Sequence, residues 1–132
     1  MKNLISGGCM CGAVHYEYSG NPLYSIICQC TQCQKITGAG SAPAICVAND
    51  NFTIKGKLTY FEQAADDGNI VSNGFCPTCG NPILKKTTAF EDHVYIHVGS
   101  LDDPSQFEPE FVVFSSSGQS WDTVDAKINR VE

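Results

Sequence analysis

Residues Cys76-Pro77-Thr78-Cys79-Gly80 decide how the chain is read. Two residues between the thiols let both sulfurs point into one tight turn. The glycine that follows relieves the backbone, and adjacent N–H groups can hydrogen-bond the thiolates. This is the spacing of a zinc knuckle, and a knuckle supplies half of a four-thiolate site. The other half is available at Cys9-Met10-Cys11-Gly12, a tighter version of the same turn preceded by Gly7-Gly8. Joined in space, Cys9, Cys11, Cys76 and Cys79 give a closed tetrahedral site of the structural kind, pinning the N-terminal segment to the middle of the chain. Structural zinc is worth roughly 10–16 kcal/mol of apparent binding energy in small folds. The competing reading of Cys76-x-x-Cys79 is a redox pair, which requires a strand-to-helix junction in a parallel sheet.

The sequence around these turns gives no such context. Short alternating runs dominate, bounded by Gly, Pro, Asn or Asp. In Val14-His15-Tyr16-Glu17-Tyr18 the valine and both tyrosines share a face, leaving His15 exposed. Asn51 to Lys55 and His93 to Val98 alternate in the same way, and Phe111 to Phe114 reads as a buried strand. Lys57 to Gln63 and Asn69 to Ser72 are two strands of a hairpin, with Ala65-Asp66-Asp67-Gly68 as turn chemistry between them. One short helix is predicted from Thr31 toward Thr37, ended by Gly38. Residues 1–132 are therefore predicted to form one mainly β domain of short antiparallel strands, with the cysteines at its turns.

A second cysteine group stands at Cys28-Gln29-Cys30-Thr31-Gln32-Cys33. Its three thiols can ligate one metal from a single loop and helix start. The remaining Cys46, in the apolar run Ala44-Ile45-Cys46-Val47-Ala48, reads either as a small core residue or as a fourth ligand. Three protein thiolates plus an exchangeable fourth position is the pattern of a catalytic or substrate-binding zinc. A thiolate-rich site prefers a soft incoming ligand, so the substrate class indicated is a small thiol. His93 and His97 share a strand face with Tyr95 and are read as solvent-facing or hydrogen-bonded rather than as ligands. Asp102-Asp103-Pro104 is read as a turn, and Lys85-Lys86 as a solvated strand end.

The 132 residues carry a formal net charge of −6 and no basic stripe, which makes nucleic acid a poor partner. Met1 to Ser6 lacks a long apolar region, and no later run is long enough to span a bilayer. The resulting expectation is a cytoplasmic protein, monomeric or weakly self-associating. In a reducing cytosol, eight cysteines read as metal ligands or reactive thiols rather than as a disulfide framework.

The order GGCMCGAVHY, CQCTQCQKITG, GFCPTCGNPI and VGSLDDP resembles the glutathione-dependent formaldehyde-activating enzyme family, also called the centromere-protein-V-like domain. The likeness runs from about Gly7 to Trp121 and includes seven cysteines, with Gly12, Gly38, Phe75, Gly80 and Pro104 alongside. It implies a zinc-containing β-tent of two or three antiparallel sheets. It also implies structural zinc at Cys9, Cys11, Cys76 and Cys79, and catalytic zinc at Cys28, Cys30 and Cys33. The implied activity is a carbon–sulfur lyase reaction in the synthetic direction, giving S-hydroxymethylglutathione from glutathione and formaldehyde. An anionic thiol entering an acidic protein needs a local cation, for which Lys35 is the candidate, and Gln32, Lys35 or Thr37 could assist a developing alkoxide. Two positions depart from the family. Gln29 stands where many members carry His, and Glu110 to Phe114 lack a further His. Glutamine cannot shuttle protons as histidine does. The alternatives to the enzyme reading are a zinc-binding module recognising a small thiol or a protein partner without turnover, and a redox enzyme cycling Cys28, Cys30 and Cys33 through disulfides.

Overall fold

The computed structural model describes residues 4–132; residues 1–3, the start of the N-terminal stretch read above, lie outside the described residues. Eleven strands and one α-helix follow in chain order. They are β1 (Leu4–Gly8), β2 (His15–Ser19), β3 (Tyr24–Cys28), α1 (Thr31–Thr37), β4 (Ala42–Ala48) and β5 (Phe52–Lys55). β6 (Thr59–Ala64), β7 (Ile70–Phe75), β8 (Pro82–Thr87), β9 (His93–His97), β10 (Phe111–Val113) and β11 (Asn129–Val131) complete the set. Short 3₁₀ turns link several of them, one of which, Pro104–Gln106, is capped by Asp103 where the sequence predicts a turn. No helix among the described residues is long and apolar enough to cross a membrane.

The strands form a three-stranded sheet, β1-β2-β5, and an eight-stranded sheet, β11-β10-β3-β4-β9-β8-β7-β6. The alternation read from the sequence sets their faces. Val14, Tyr16 and Tyr18 are buried while His15 and Glu17 are exposed. With Ile5 they pack against Ile45, Val47, Ile83, Leu84, Val94 and Ile96 of the large sheet, forming the main core. The predicted hairpin is β6–β7, paired Gln63↔Val71 across a turn in which Gly68 takes a φ of 87°. The helix begins and ends where expected: Cys30 caps its start, and Gly38 closes it in the left-handed conformation at φ 69°.

The pairings are antiparallel except at one edge, where β10 runs parallel to both β3 and β11. An all-antiparallel arrangement is thus corrected there. The chain leaves β9 and travels through 3₁₀ turns before β10 covers the free edge of β3. Local hydrophobic alternation carries no information about that direction. Hydrogen bonds from Glu110 N to Ser25 O and from Gln29 N to Val113 O extend the pairing beyond the strand ends.

Strands β4 and β9, at the centre of the large sheet, are buried on both faces. Ile45, Val47, Val94 and Ile96 enter the main core. Ala42, Ala44, Cys46 and Tyr95 enter a second cluster on the opposite face, with Ile26, Cys28 and Cys33. A period of two along each strand separates the two sets. The second face is the one that carries the site.

Gly7 on β1 lies close against Tyr16 of β2 and the 3₁₀ turn that follows β9. Tyr16 Oη and Ser100 Oγ hydrogen-bond at 2.6 Å, and a Cβ on Gly7 would overlap Tyr16 Oη and the Ser100 carbonyl. Gly7→Ala is expected to lower stability by roughly 3 kcal/mol through overpacking, measured by urea unfolding.

Candidate metal centres and an adjoining cavity

All eight cysteines are free thiols, and seven fall into two groups that could each hold a metal ion. Cys9, Cys11, Cys76 and Cys79 form one; Cys28, Cys30 and Cys33 form the other. Within each group the sulfurs all lie within 4.8 Å of one another.

The four-cysteine group is made by two turns. The β1–β2 turn brings Cys9 and Cys11, and the β7–β8 turn brings Cys76 and Cys79, so the group joins the small sheet to the large one. Cys9 Sγ lies 3.5 Å from Cys11 Sγ, and Cys11 Sγ lies 3.6 Å from Cys76 Sγ. Tetrahedral coordination with metal–sulfur bonds of ~2.3 Å places sulfurs about 3.8 Å apart, and a disulfide would place them at about 2.0 Å. The distances fit a shared metal. Backbone N–H groups of Thr78 and Cys79 donate to Cys76 Sγ at 3.4 and 3.5 Å, and Val14 N donates to Cys9 Sγ at 3.2 Å. Gly12 and Gly80 take φ of 84° and 76°, the left-handed turns that follow each pair.

The three-cysteine group sits where β3 ends and α1 begins. Cys28 is the last residue of β3, Cys30 caps the helix, and Cys33 lies in its first turn. Cys33 N donates to Cys30 Sγ at 3.3 Å. Hydrogen bonds from the Cys28 and Cys33 thiols hold the Cys30 sulfur well below the usual thiol range, while sharing with its neighbours pushes Cys33 up. The three sulfurs thus share protons as one unit. No fourth Cys, His, Asp or Glu among the described residues joins the group. Cys46 is fully buried beside the Tyr24 and Tyr95 hydroxyls and lies outside both groups.

A cavity of about 150 Å³ opens on the three cysteines. Its walls are mostly apolar, from Ile26, Ile36, Ala42, Ala44, Val71 and Phe114. Phe114, expected as the end of a buried strand, lies beyond β10 and half-exposed, and among the described residues it is the non-glycine residue with positive φ, 56°. A left-handed phenylalanine costs on the order of 1–2 kcal/mol. The polar lining comes from Gln32, Asn73, Lys85, Tyr95 and His97.

Several candidate residues stand elsewhere than the sequence suggests. His97 faces the cavity instead of solvent, its Nε2 buried without a partner. Burial, and then the charge of Lys85, lowers its pKa to about 4, so the ring is neutral near pH 7. His93 Nδ1 is likewise buried and unpartnered; the ring stacks on Phe90 at 5.2 Å. These strand faces are polar yet inward because β9 has structure on both sides. Lys35 is exposed on α1 and does not line the cavity. Lys85, read as part of a solvated strand end, lies within β8 on the cavity wall, its Nζ 5.0 Å from the centre of the Tyr95 ring. Thr37 Oγ1 donates to Cys33 O at 2.8 Å and so belongs to the helix end. His15 is exposed beside Glu17, as its strand alternation requires. Sequence reading missed Lys85 and Asn73, and the one usable signal was the polar-aromatic face His93-Tyr95-His97 on a strand otherwise fit for a core.

Comparison with known proteins agrees with this arrangement. The model of the family described as glutathione-dependent formaldehyde-activating enzyme matches residues 4–117. The chain belongs to that family. The family's description ties its members to glutathione and to the activation of formaldehyde. A crystal structure of a Rhodobacter sphaeroides protein is similar with a TM-score of 0.60, covering 76% of this chain and 93% of that one at 22% identity, a likeness of fold alone. No curated protein matches the chain significantly.

Elemental analysis of the purified chain should find two metal equivalents, one for each cysteine group. Cys33→Ser should lose one of them and stay folded, because its cluster joins residues already close in sequence, at one strand end and one helix start. Cys76→Ser should lose the other and lower the thermal midpoint by more than about 10 °C, as removal of a metal that joins two sheets requires. Cys46→Ala should keep both.

Proposed function

We propose that the chain is a zinc-dependent carbon–sulfur lyase acting on glutathione or a related small thiol, with S-hydroxymethylglutathione formation from glutathione and formaldehyde as its reaction. The observation that carries this reading is the three-cysteine group opening into an apolar cavity with no fourth protein donor. Cys28, Cys30 and Cys33 would hold the catalytic zinc, and Cys9, Cys11, Cys76 and Cys79 the structural one. Thiolate donors supported by backbone N–H groups suit this soft ion. A zinc ion bound by three thiolates supplies a Lewis-acid centre that keeps an incoming thiol ionised near neutral pH.

The chain's own residues account for the rest. Attack of the thiol sulfur on formaldehyde forms a carbon–sulfur bond as the carbonyl electron pair moves to oxygen. That oxygen then needs a proton, and the thiol has given one up. The Gln32 side chain and the neutral His97 ring line the cavity and are the groups suited to hydrogen-bond the developing alkoxide. The unpartnered His97 Nε2 supports a ligand there, since a buried nitrogen without a partner is costly until something supplies one. Ile26, Ile36 and Phe114 limit water, strengthening every electrostatic contact inside. Holding both reactants in one cavity lowers the entropy cost of a bimolecular addition. The reading includes a cytosolic setting, where the thiols stay reduced.

Glutathione titrated calorimetrically into zinc-loaded protein should bind saturably, and Cys33→Ser should abolish the binding. With formaldehyde added, the adduct should form faster than in buffer by at least tenfold, followed by NMR. Absence of binding to the loaded wild type would overturn the glutathione assignment. Binding without any acceleration would favour a zinc module that recognises a thiol without turnover.

A further inference from the structure

The cavity wall carries one lysine, Lys85, on the strand β8 beside β9. Across the large sheet, Tyr24 pairs with Cys46, Cys46 with Tyr95, Tyr95 with Lys85 and Lys85 with Asn73. These residues share the cavity face. Lys85 is half-buried, and among the described residues no carboxylate lies within ion-pair distance of it. This is unusual in a chain with 14 acidic and 8 basic residues, where counter-ions are plentiful. Its Nζ rests on the Tyr95 ring, which orients the ammonium without neutralising it. Asn73, beside it in register, is 7% exposed and lines the same cavity. A half-buried ammonium without a carboxylate partner among the described residues, with an amide on the same cavity wall, forms a receptor for an anion.

We propose that Lys85 and Asn73 form a carboxylate subsite beside the three-cysteine cluster, so that the site selects small thiols that carry a carboxylate over neutral or cationic thiols. This rests on the reading of the cluster as a thiol site. The ammonium takes one carboxylate oxygen and the Asn73 amide N–H the other, while the sulfur lies toward Cys28, Cys30 and Cys33. Lys85, Cys30 and Cys33 line the same cavity, as one ligand spanning both features requires. Lys86, the next residue, pairs with Ser72 on the opposite face and plays no part.

The test is calorimetric titration of the zinc-loaded full chain with 3-mercaptopropionate, 2-mercaptoethanol and cysteamine. The carboxylate thiol should bind at least tenfold more tightly than the other two. Lys85→Met, which retains the packing over Tyr95, should bring the three to within about twofold, and Asn73→Ala should narrow the gap. Lys35→Met should leave it unchanged. Equal binding of the three thiols by the wild type overturns the subsite and leaves the thiol site standing. A Lys85→Met protein that weakens all three equally also overturns it, because Lys85 would then only balance the charge of the thiolates. If none of the thiols binds the wild type, the thiol reading fails and the subsite fails with it.

Discussion

The central strands β4 and β9 have no solvent face, and the rest of the molecule is arranged around that constraint. On one side they close the main core with the small sheet, through Ile45, Val47, Val94 and Ile96. On the other they floor a cavity, with Ala42, Ala44, Tyr95 and His97. Each apolar side chain fully buried this way contributes about 1.5–3 kcal/mol. The core face therefore holds the strands rigid while the other face, besides its smaller apolar cluster, carries the groups that line the cavity. Small residues on β4 leave the room for the cavity: Ala42 and Ala44 stand where a larger residue would fill it.

The chain delivers the same kind of donor in two different ways. Cys9, Cys11, Cys76 and Cys79 come from two turns on two sheets, so a metal there closes long loops and acts on stability. Cys28, Cys30 and Cys33 come from one strand end and one short helix. A metal there ties together residues already close in sequence and gains little loop-closure stability. Its three donors face a cavity, which suits exchange. The contrast lies in topology and not in the thiol chemistry, which is alike at both.

The turns and the helix were legible because their signals are local. Gly12, Gly38, Gly68 and Gly80 all take positive φ, as a glycine after a thiol pair, a helix or a hairpin turn predicts. The seven ligand candidates and the core position of Cys46 follow from spacing and from hydrophobic setting. What was not legible depends on which strands lie side by side. Lys85 looks like a strand-end lysine until β9 is beside it, and Lys35 looks like the basic group of the site until α1 turns it outward. His97 alternates as a polar residue does on a half-exposed strand, but β9 has a second covered face. The parallel pairing of β10 is likewise a matter of where a long connection returns.

Gln29 shows how a departure from a family pattern can be absorbed. It lies between two cysteines of the cavity cluster, yet its side chain does not line the cavity. It is buried and donates to Asp122 Oδ2 at 3.1 Å. Gly118 passes so close that a Cβ there would stand 2.6 Å from Gln29 Oε1. Gln34 adds two bonds from its amide, to Gln29 O and to Ser117 O, both at 2.9 Å. The segment after β10 is thereby clamped to the loop that carries Cys28, Cys30 and Cys33. An uncharged amide in that clamp orients the three thiols by holding their backbone. Of the ionisable groups that do face the cavity, His97 is the one that is neutral near pH 7 and has a buried ring nitrogen without a partner among the described residues.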